Sequence, residues 1–273
     1  MLRALRKAAE LSGERLAAKA HMSQGKISRI ETGKILPTVT DVQRILRALE
    51  VPPDRAAELL KLARAANIDF VSRRRARQLG PRSYQRSLAA MVAQSDQVCC
   101  VFPAMLPGFL QTRAYARGNI YNPLSKYSTA RREELIEAKL SQHELLRQGT
   151  RFLLLCTEAA VRFPVVGHGD MAEQVEYLIS TSKLPQIRFA IIPAGTRMPK
   201  PALNTFIVYD NRTVEMETHA GAINMRDPTQ VEEHLELFEY FWSHAVEGDE
   251  ARALLRSIAD DFRRQATTGR RPS

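Results

Sequence analysis

The chain has 273 residues, 44% hydrophobic and 26% charged, which excludes wholesale disorder and fibrous or collagen-like architectures and suggests one large domain or two small ones. Its 40 Lys and Arg against 30 Asp and Glu give a net charge of +10, and the excess sits at one end: residues 1–80 carry 17 basic and 8 acidic side chains, residues 81–273 carry 23 and 22. A basic head on a near-neutral body points to a polyanion-binding module joined to something else.

Residues 1–66 read as five short helices. Leu2, Leu5, Ala9 and then Leu16, Ala17, Ala20 recur at helical spacing. Ser12, Ser23 and Thr38 stand where side-chain oxygens can cap first turns. Gly33 follows the segment from Ser23 to Thr32 as a left-handed C-terminal cap would, and Pro37 prevents that helix from continuing. Residues 39–49 and 54–66 supply two more helices. Residues 67–83, with Arg73-Arg74-Arg75-Ala76-Arg77 and Gly80-Pro81, mark a boundary, either as a basic linker or as a helix with a basic face.

From residue 84 the pattern changes. Helices are expected at 84–96, 109–119, 128–149, 228–246 and 249–265. Strands are expected at 98–102, 151–156 and 187–192, with a hairpin of 204–209 and 212–218 around Asp210-Asn211. Asp170 and Glu173 resemble a capping box for a helix at 171–182, which makes 151–156 and 187–192 a parallel pair around a crossover helix. Asp227-Pro228 is a helix-start signature. The expected fold class is α plus α/β: a five-helix domain at 1–66, a linker at 67–83, a mixed α/β domain with a small sheet at 84–265, and a flexible tail at 266–273.

The most informative segment runs from Leu16 to Lys34. Two helices meet at a tight turn over Ala20–Met22, and Leu16, Ala17, Ile27 and Ile30 can pack between them. Gln24, Lys26, Ser28 and Arg29 then face solvent. Gln can make two hydrogen bonds to an adenine edge and Arg two to a guanine edge, and a helix of this width enters the major groove. The string Ser23-Gln24, then Ile27-Ser28-Arg29-Ile30-Glu31-Thr32-Gly33, strongly resembles the helix-turn-helix of the phage-repressor (Xre) family over about residues 1–66, and implies a lambda-repressor-like domain. The resemblance implies that Gln24, Lys26 and Arg29 read or face the groove, where the helix face also places Ser28, that Ser23 caps the recognition helix, and that Lys34 and Thr38 touch the DNA backbone. It implies a structural role for Glu31. The chain departs from that pattern at His21, where the turn usually has Gly, and at Ser12-Gly13, where relatives often have Thr-Gln.

A second string, Met105-Leu106-Pro107-Gly108-Phe109-Leu110-Gln111-Thr112-Arg113-Ala114-Tyr115-Ala116-Arg117, resembles the signature of a C-terminal domain of unknown function found behind such heads in actinobacterial regulators. Thr157–Arg162 and Leu184–Pro193 fit the same resemblance, which spans about 84–262. Together the two parts resemble antitoxin-like, WhiJ-like regulators. That resemblance implies double-stranded DNA as a partner and a small partner protein encoded by an adjacent gene. The alternative it leaves open is an antitoxin-type module that neutralises the small protein and binds DNA only to regulate itself. A homodimer is expected, because one such head covers only a half-site. Two readings stand for the second string: a packed elbow, or a partner or effector surface made by Gln111, Tyr115 and Arg117. Trp242 likewise stands either in a core face with Leu235, Phe238 and Phe241 or on a dimer or partner surface.

Signals of catalysis are weak. The histidines 21, 143, 168, 219, 234 and 244 form no His-Glu-x-x-His pair, and there is no Cys-x-x-Cys, nucleophile elbow or phosphate loop. His168 beside Asp170 reads as a turn before a helix rather than an acid/base pair. Cys99-Cys100 reads as strand core, with redox sensing as the other reading. The expectation is a protein without catalytic residues, metal or cofactor. Cys99, Cys100 and Cys156 make no disulfide framework. No apolar run reaches the roughly 18 residues of a spanning helix, and Met1–Lys7 enters an amphipathic helix without signal-peptide features. The expected setting is the cytoplasm, on the nucleoid and away from membranes.

Overall fold

The computed structural model describes residues 1–72, 81–147 and 149–268. The head consists of α1 (Leu2–Ala8), α2 (Gly13–Lys19), α3 (Gln24–Glu31), α4 (Val39–Ala48) and α5 (Pro53–Ala66). Ser12, Ser23 and Thr38 each accept a hydrogen bond from the amide three residues on, as their positions predict. Helix α3 ends in a Schellman motif: Gly33 takes φ +71°, its amide donates to the Ile30 carbonyl, and the Lys34 amide donates to the Arg29 carbonyl. Leu16, Ala17, Ala20, Ile27, Ile30 and Ile45 bury one apolar cluster between α2, α3 and α4. A second cluster joins Val42 and Leu46 of α4 to Leu59 and Ala63 of α5.

The body is a mixed sheet with helices on both faces. Its strands are β1 (Ile68–Ser72), β2 (Gln97–Phe102), β3 (Arg151–Thr157), β4 (Ile187–Ile192), β5 (Thr205–Tyr209), β6 (Thr213–Glu217), β7 (Gly221–Met225) and β8 (Val246–Glu247). They lie in the order β1-β7-β6-β5-β2-β3-β4-β8. β2, β3 and β4 are mutually parallel, and every other pairing is antiparallel. The helices are α6 (Pro81–Ala93), α7 (Arg113–Ile120), α8 (Thr129–Leu140), α9 (Glu158–Arg162), α10 (His168–Thr181), α11 (Pro228–Trp242) and α12 (Gly248–Thr268). On the first face, Cys100, Phe102, Phe152, Leu154 and Ile191 pack against α6, α10 and α12; on the second, Cys99, Val101, Leu155 and Val208 pack against α11. Neighbouring residues of a strand point to opposite faces, so the unbroken apolar run Val98–Phe102 follows from a strand covered on both sides.

The structure corrects several expectations. The sheet is not small: among the described residues it has eight strands, and β1, β7 and β8 lie in stretches where the sequence suggests no strand. Residues 67–83 are not a linker throughout. Ile68–Ser72 pairs with β7 in antiparallel register, and Pro81–Ala93 is helical. The run Arg73–Arg77 and Gly80 lie outside the described residues, as do residues 269–273 of the expected tail, whose first residues 266–268 belong to the last turn of α12. No capping box forms at Asp170: Gly167 is the N-cap, α10 starts at His168, and Asp170 sits in the first turn, where its charge favours the positive helix end. The expected helix at 109–119 splits, because Pro107 and Gly108 set a 3-10 turn over Gly108–Leu110 and Thr112 then caps α7 anew. The helix expected over 128–149 stops at Leu140 and continues as 3-10 turns over Ser141–Arg147.

Head and body meet at Asn67, which is 2% exposed. Its side-chain amide donates to the carbonyls of Pro37 (3.0 Å) and Ala63 (2.8 Å), and its own carbonyl accepts from the Arg226 amide at 3.0 Å. Beside it Arg64 of α5 pairs at 3.4 Å with Asp227, the residue that caps α11.

Gly118 of α7 passes so close to the 165–166 segment that an added Cβ would lie 2.8 Å from the Val165 carbonyl oxygen and against Val166 Cγ1. Gly118→Ala is expected to destabilise the body by about 1–3 kcal/mol. Gly25→Ala, where nothing lies within 4 Å, is expected to stabilise α3 by about 0.5–1 kcal/mol. Chemical denaturation of the two variants checks the opposite signs.

Candidate nucleic-acid interface

Helix α3 divides cleanly. Ile27 and Ile30 are buried, while Ser23, Gln24, Gly25, Ser28 and Arg29 are exposed. Gln24, Gly25, Ser28 and Arg29 stand one turn apart in pairs, so they form one solvent-facing surface. Arg29 Nε donates to the Gly25 carbonyl at 3.2 Å, which lays the guanidinium along that face. Ser23 uses its hydroxyl on the Lys26 amide, so its role here is to start the helix. Lys34 is exposed just past the Gly33 cap.

Lys26 departs from expectation. It is half-buried at the flank of α3, and its ammonium lies 2.6 Å from Asp41 Oδ1. Asp41 is 4% exposed; its other oxygen accepts from the Thr38 amide at 3.1 Å, while the Thr38 hydroxyl accepts from the Asp41 amide. Lys26 therefore ties α3 to the start of α4, while Thr38 caps α4 and stays exposed. Burial pushes the Asp41 carboxyl up, but the bonds from Lys26 and Thr38 outweigh it and hold the group below its ordinary value. At the far end of α3, Arg6 of α1 grips Glu31 through two bonds of 2.7 and 2.6 Å and also donates to the Leu11 carbonyl. Glu31 thus has the structural role the resemblance implies. Sequence reasoning passed over Arg6 and Asp41; the capping-box spacing Thr38-x-x-Asp41 was the available signal for the second.

The turn into α3 is a second Schellman motif: the Met22 amide donates to the Ala17 carbonyl and the His21 amide to the Ala18 carbonyl. His21 takes φ +52°, the left-handed geometry for which the turn usually has Gly.

The residues singled out in the body are not brought together into a surface. Gln111 and Tyr115 are 0% exposed. Gln111 donates to the Leu106 carbonyl at 2.6 Å, and its own carbonyl accepts from His143 Nε2 at 2.8 Å. Burial pushes the Tyr115 phenol up to about 12, against a lowering pull from the Leu106 backbone. Gln174 of α10 completes the elbow, donating to the Leu110 carbonyl and accepting from the Thr112 amide, both at 2.7 Å. Arg117 is exposed but paired with Glu133 at 2.7 Å and stacked on Tyr121. Trp242 is half-buried between Phe238 and the Arg188 guanidinium. The packed-elbow and core readings are the ones the geometry matches.

Burial raises the Cys99 thiol to about 11 and lifts Cys100 and Cys156 as well, so none is a ready thiolate. Among the described residues no group of three or more His, Cys, Asp or Glu side chains is placed to hold a metal ion, and no helix is long and apolar enough to cross a membrane.

A family model described as a helix-turn-helix domain matches residues 1–59, and one described as a domain of unknown function (DUF5753) matches residues 85–257. No curated protein matches the chain. Among solved structures, the phospholipase D family member Nuc from Salmonella typhimurium is 12% identical over 60% of this chain and 90% of its own, with a TM-score of 0.34. The archaeal chromatin protein TrmBL2 is 13% identical over 76% of this chain and 66% of its own, with a TM-score of 0.35. At these scores neither likeness bears on fold or chemistry.

His21→Gly is expected to stabilise the head by about 1 kcal/mol, read as a raised thermal midpoint. Asp41→Asn is expected to cost about 1–3 kcal/mol at neutral pH. The contribution of a lowered carboxyl is complete above its unfolded-state value near 3.8 and is lost as pH falls through the lower folded value. Denaturation curves of native chain and variant should therefore converge in that acidic range.

Proposed function

The chain belongs to the DUF5753 family and carries a helix-turn-helix domain ahead of that body, and from this premise we propose that it is a sequence-specific DNA-binding transcription regulator of the Xre type. The observation that carries the reading is the exposed face of α3: Gln24, Ser28 and Arg29 face outward on a helix braced at both ends by Lys26–Asp41 and Arg6–Glu31. A helix held rigidly, with donors and acceptors on its outer side, suits base edges in the major groove. The net positive charge of residues 1–80 supplies the general attraction to phosphate.

In this reading Gln24 and Arg29 read bases, Ser28 touches a base or sugar edge, and Lys34 neutralises a phosphate. The protein acts as a homodimer on a palindrome whose half-sites lie roughly 34 Å apart. It works on the nucleoid in the cytoplasm, and its body senses an effector or a small partner protein rather than catalysing a reaction.

Titration against genomic fragments recovered with the protein tests this. Specific binding should exceed binding to random duplexes at moderate salt; equal affinity for both overturns the reading. Arg29→Ala is expected to lose about 1–3 kcal/mol on the recovered operator. Lys34→Ala is expected to lower the salt slope by about 1, whatever the sequence.

A further inference from the structure

Among the described residues the sheet ends in β1 on one side and β8 on the other, and the two edges are finished differently. β8 is two residues long and runs straight into α12. β1 is five residues long, pairs with β7 in unbroken register and contains neither Lys nor Pro. Edge strands are normally blunted by shortness, Lys or Pro, because their free amides and carbonyls accept another strand.

The direction of the β1 backbone groups follows from its first bond. The Asn67 carbonyl accepts from the Arg226 amide at 3.0 Å, and these residues directly precede the pair Ile68 and Met225 in the register. Backbone groups alternate in direction along an antiparallel strand. Asn67, Asp69 and Val71 therefore turn theirs to β7, while Ile68, Phe70 and Ser72 turn theirs outward. Among the described residues nothing meets the outward groups of Ile68 and Phe70. Their side chains are open as well. Ile68 stands opposite Met225 and Phe70 opposite Ile223, so both lie on the face that α11 covers elsewhere. At β1 that face is bare: Ile68 is 42% and Phe70 49% exposed. Apolar side chains bordering an unpaired edge mark an interaction surface.

The strand is complementary to itself. Laid antiparallel against a second copy with Phe70 on the two-fold axis, Phe70 meets the other Phe70 and Ile68 meets Ser72, so all three outward residues exchange hydrogen bonds. Asp69, the one charged residue of the strand, then falls opposite Val71. Centring the pair on Asp69 instead would set two carboxylates face to face. The head joins the body just ahead of Ile68, and in this pairing the two Ile68 positions lie at opposite ends of the ribbon, roughly 15 Å apart. A head of this length has a radius of gyration of roughly 11 Å. Two heads directed away from the axis then stand on the order of 35 Å apart, close to one turn of a DNA duplex.

We propose that β1 is the dimer interface of this protein: two copies pair antiparallel through their β1 edges about a two-fold axis at Phe70, which joins their sheets and sets the distance between the recognition helices. This supplies the geometry of the homodimer in the regulatory reading above and rests on that reading for its purpose; the pairing itself is measured without DNA.

Sedimentation equilibrium of the full chain over roughly 0.1–100 μM tests it, beside the same measurement on Phe70→Lys, Phe70→Glu and an equimolar mixture of the two. The native chain should dimerise. Each variant alone sets like charges face to face and should weaken the dimer at least about tenfold without altering the far-UV spectrum. The mixture should recover dimer, because opposite charges then meet across the axis. The proposal is overturned if the native chain is monomeric throughout, if both variants dimerise as tightly as the native chain, or if the mixture stays as weak as its components. Should a Phe70 variant not fold, Ile68→Lys takes its place, and native-like dimerisation of that variant overturns the proposal too. Normal operator recognition by a chain that pairs elsewhere removes this interface alone. Pairing through β1 with no preference for the operator over random duplexes removes the regulatory reading alone.

Discussion

Asp41 can be buried as an anion only if both its oxygens are filled, and what fills them are the ammonium of Lys26 and the backbone amide of Thr38. One of those partners belongs to α3 and the other to the start of α4, so satisfying the carboxylate fixes the distance and rotation between the two helices. The Arg6–Glu31 pair does the same for α3 and α1. Ile27 and Ile30 supply the apolar attraction, but apolar contact alone is non-directional. The charged struts decide which face of α3 is turned outward, and every statement about Gln24, Ser28 and Arg29 as reading residues depends on that.

The head is not simply strung onto the body. Asn67 closes α5, holds the Pro37 carbonyl just ahead of the α4 cap, and receives the Arg226 amide from the body. Arg226 and Asp227 connect the last residue of β7 to α11, and Asp227 pairs with Arg64. Immediately after Asn67 the chain enters the sheet as β1. A change in the body that moved β7 or the start of α11 would thus bear on the Pro37 loop and, one step further, on the Thr38–Asp41–Lys26 node. These contacts give the body a physical route to the orientation of α3.

Within the body, the residues that look most like a signature serve construction. Pro107 to Thr112 crosses the top of the first sheet face as a buried irregular segment, and its backbone carbonyls must find donors inside the protein. Gln111, His143 and Gln174 supply them at Leu106, Gln111 and Leu110. That is why Gln111 is interior, although a polar amide looks like surface chemistry in a linear reading.

Local chemistry was sufficient for much of the protein. The caps at Ser12, Ser23 and Thr38, the Gly33 stop, the Asp227-Pro228 start and the apolar period of the head place five helices and the exposed face of α3, because each depends on residues within a turn or two. The central strands β2 to β6 were legible for the same reason: long apolar runs and a tight Asp-Asn turn are local signals. Three things were decided only by tertiary structure. β1, β7 and β8 are short and sit at or beside a sheet edge, where little burial is demanded and their sequences carry little apolar pattern; pairing partners far along the chain make them strands. Lys26, Gln111 and Tyr115 owe their roles to groups more than a dozen residues away or to burial by other elements. Glu217 comes beside Lys139 and Gln142, which lie three residues apart on one segment, only when α8 is laid over β6, since no spacing along the chain relates it to them.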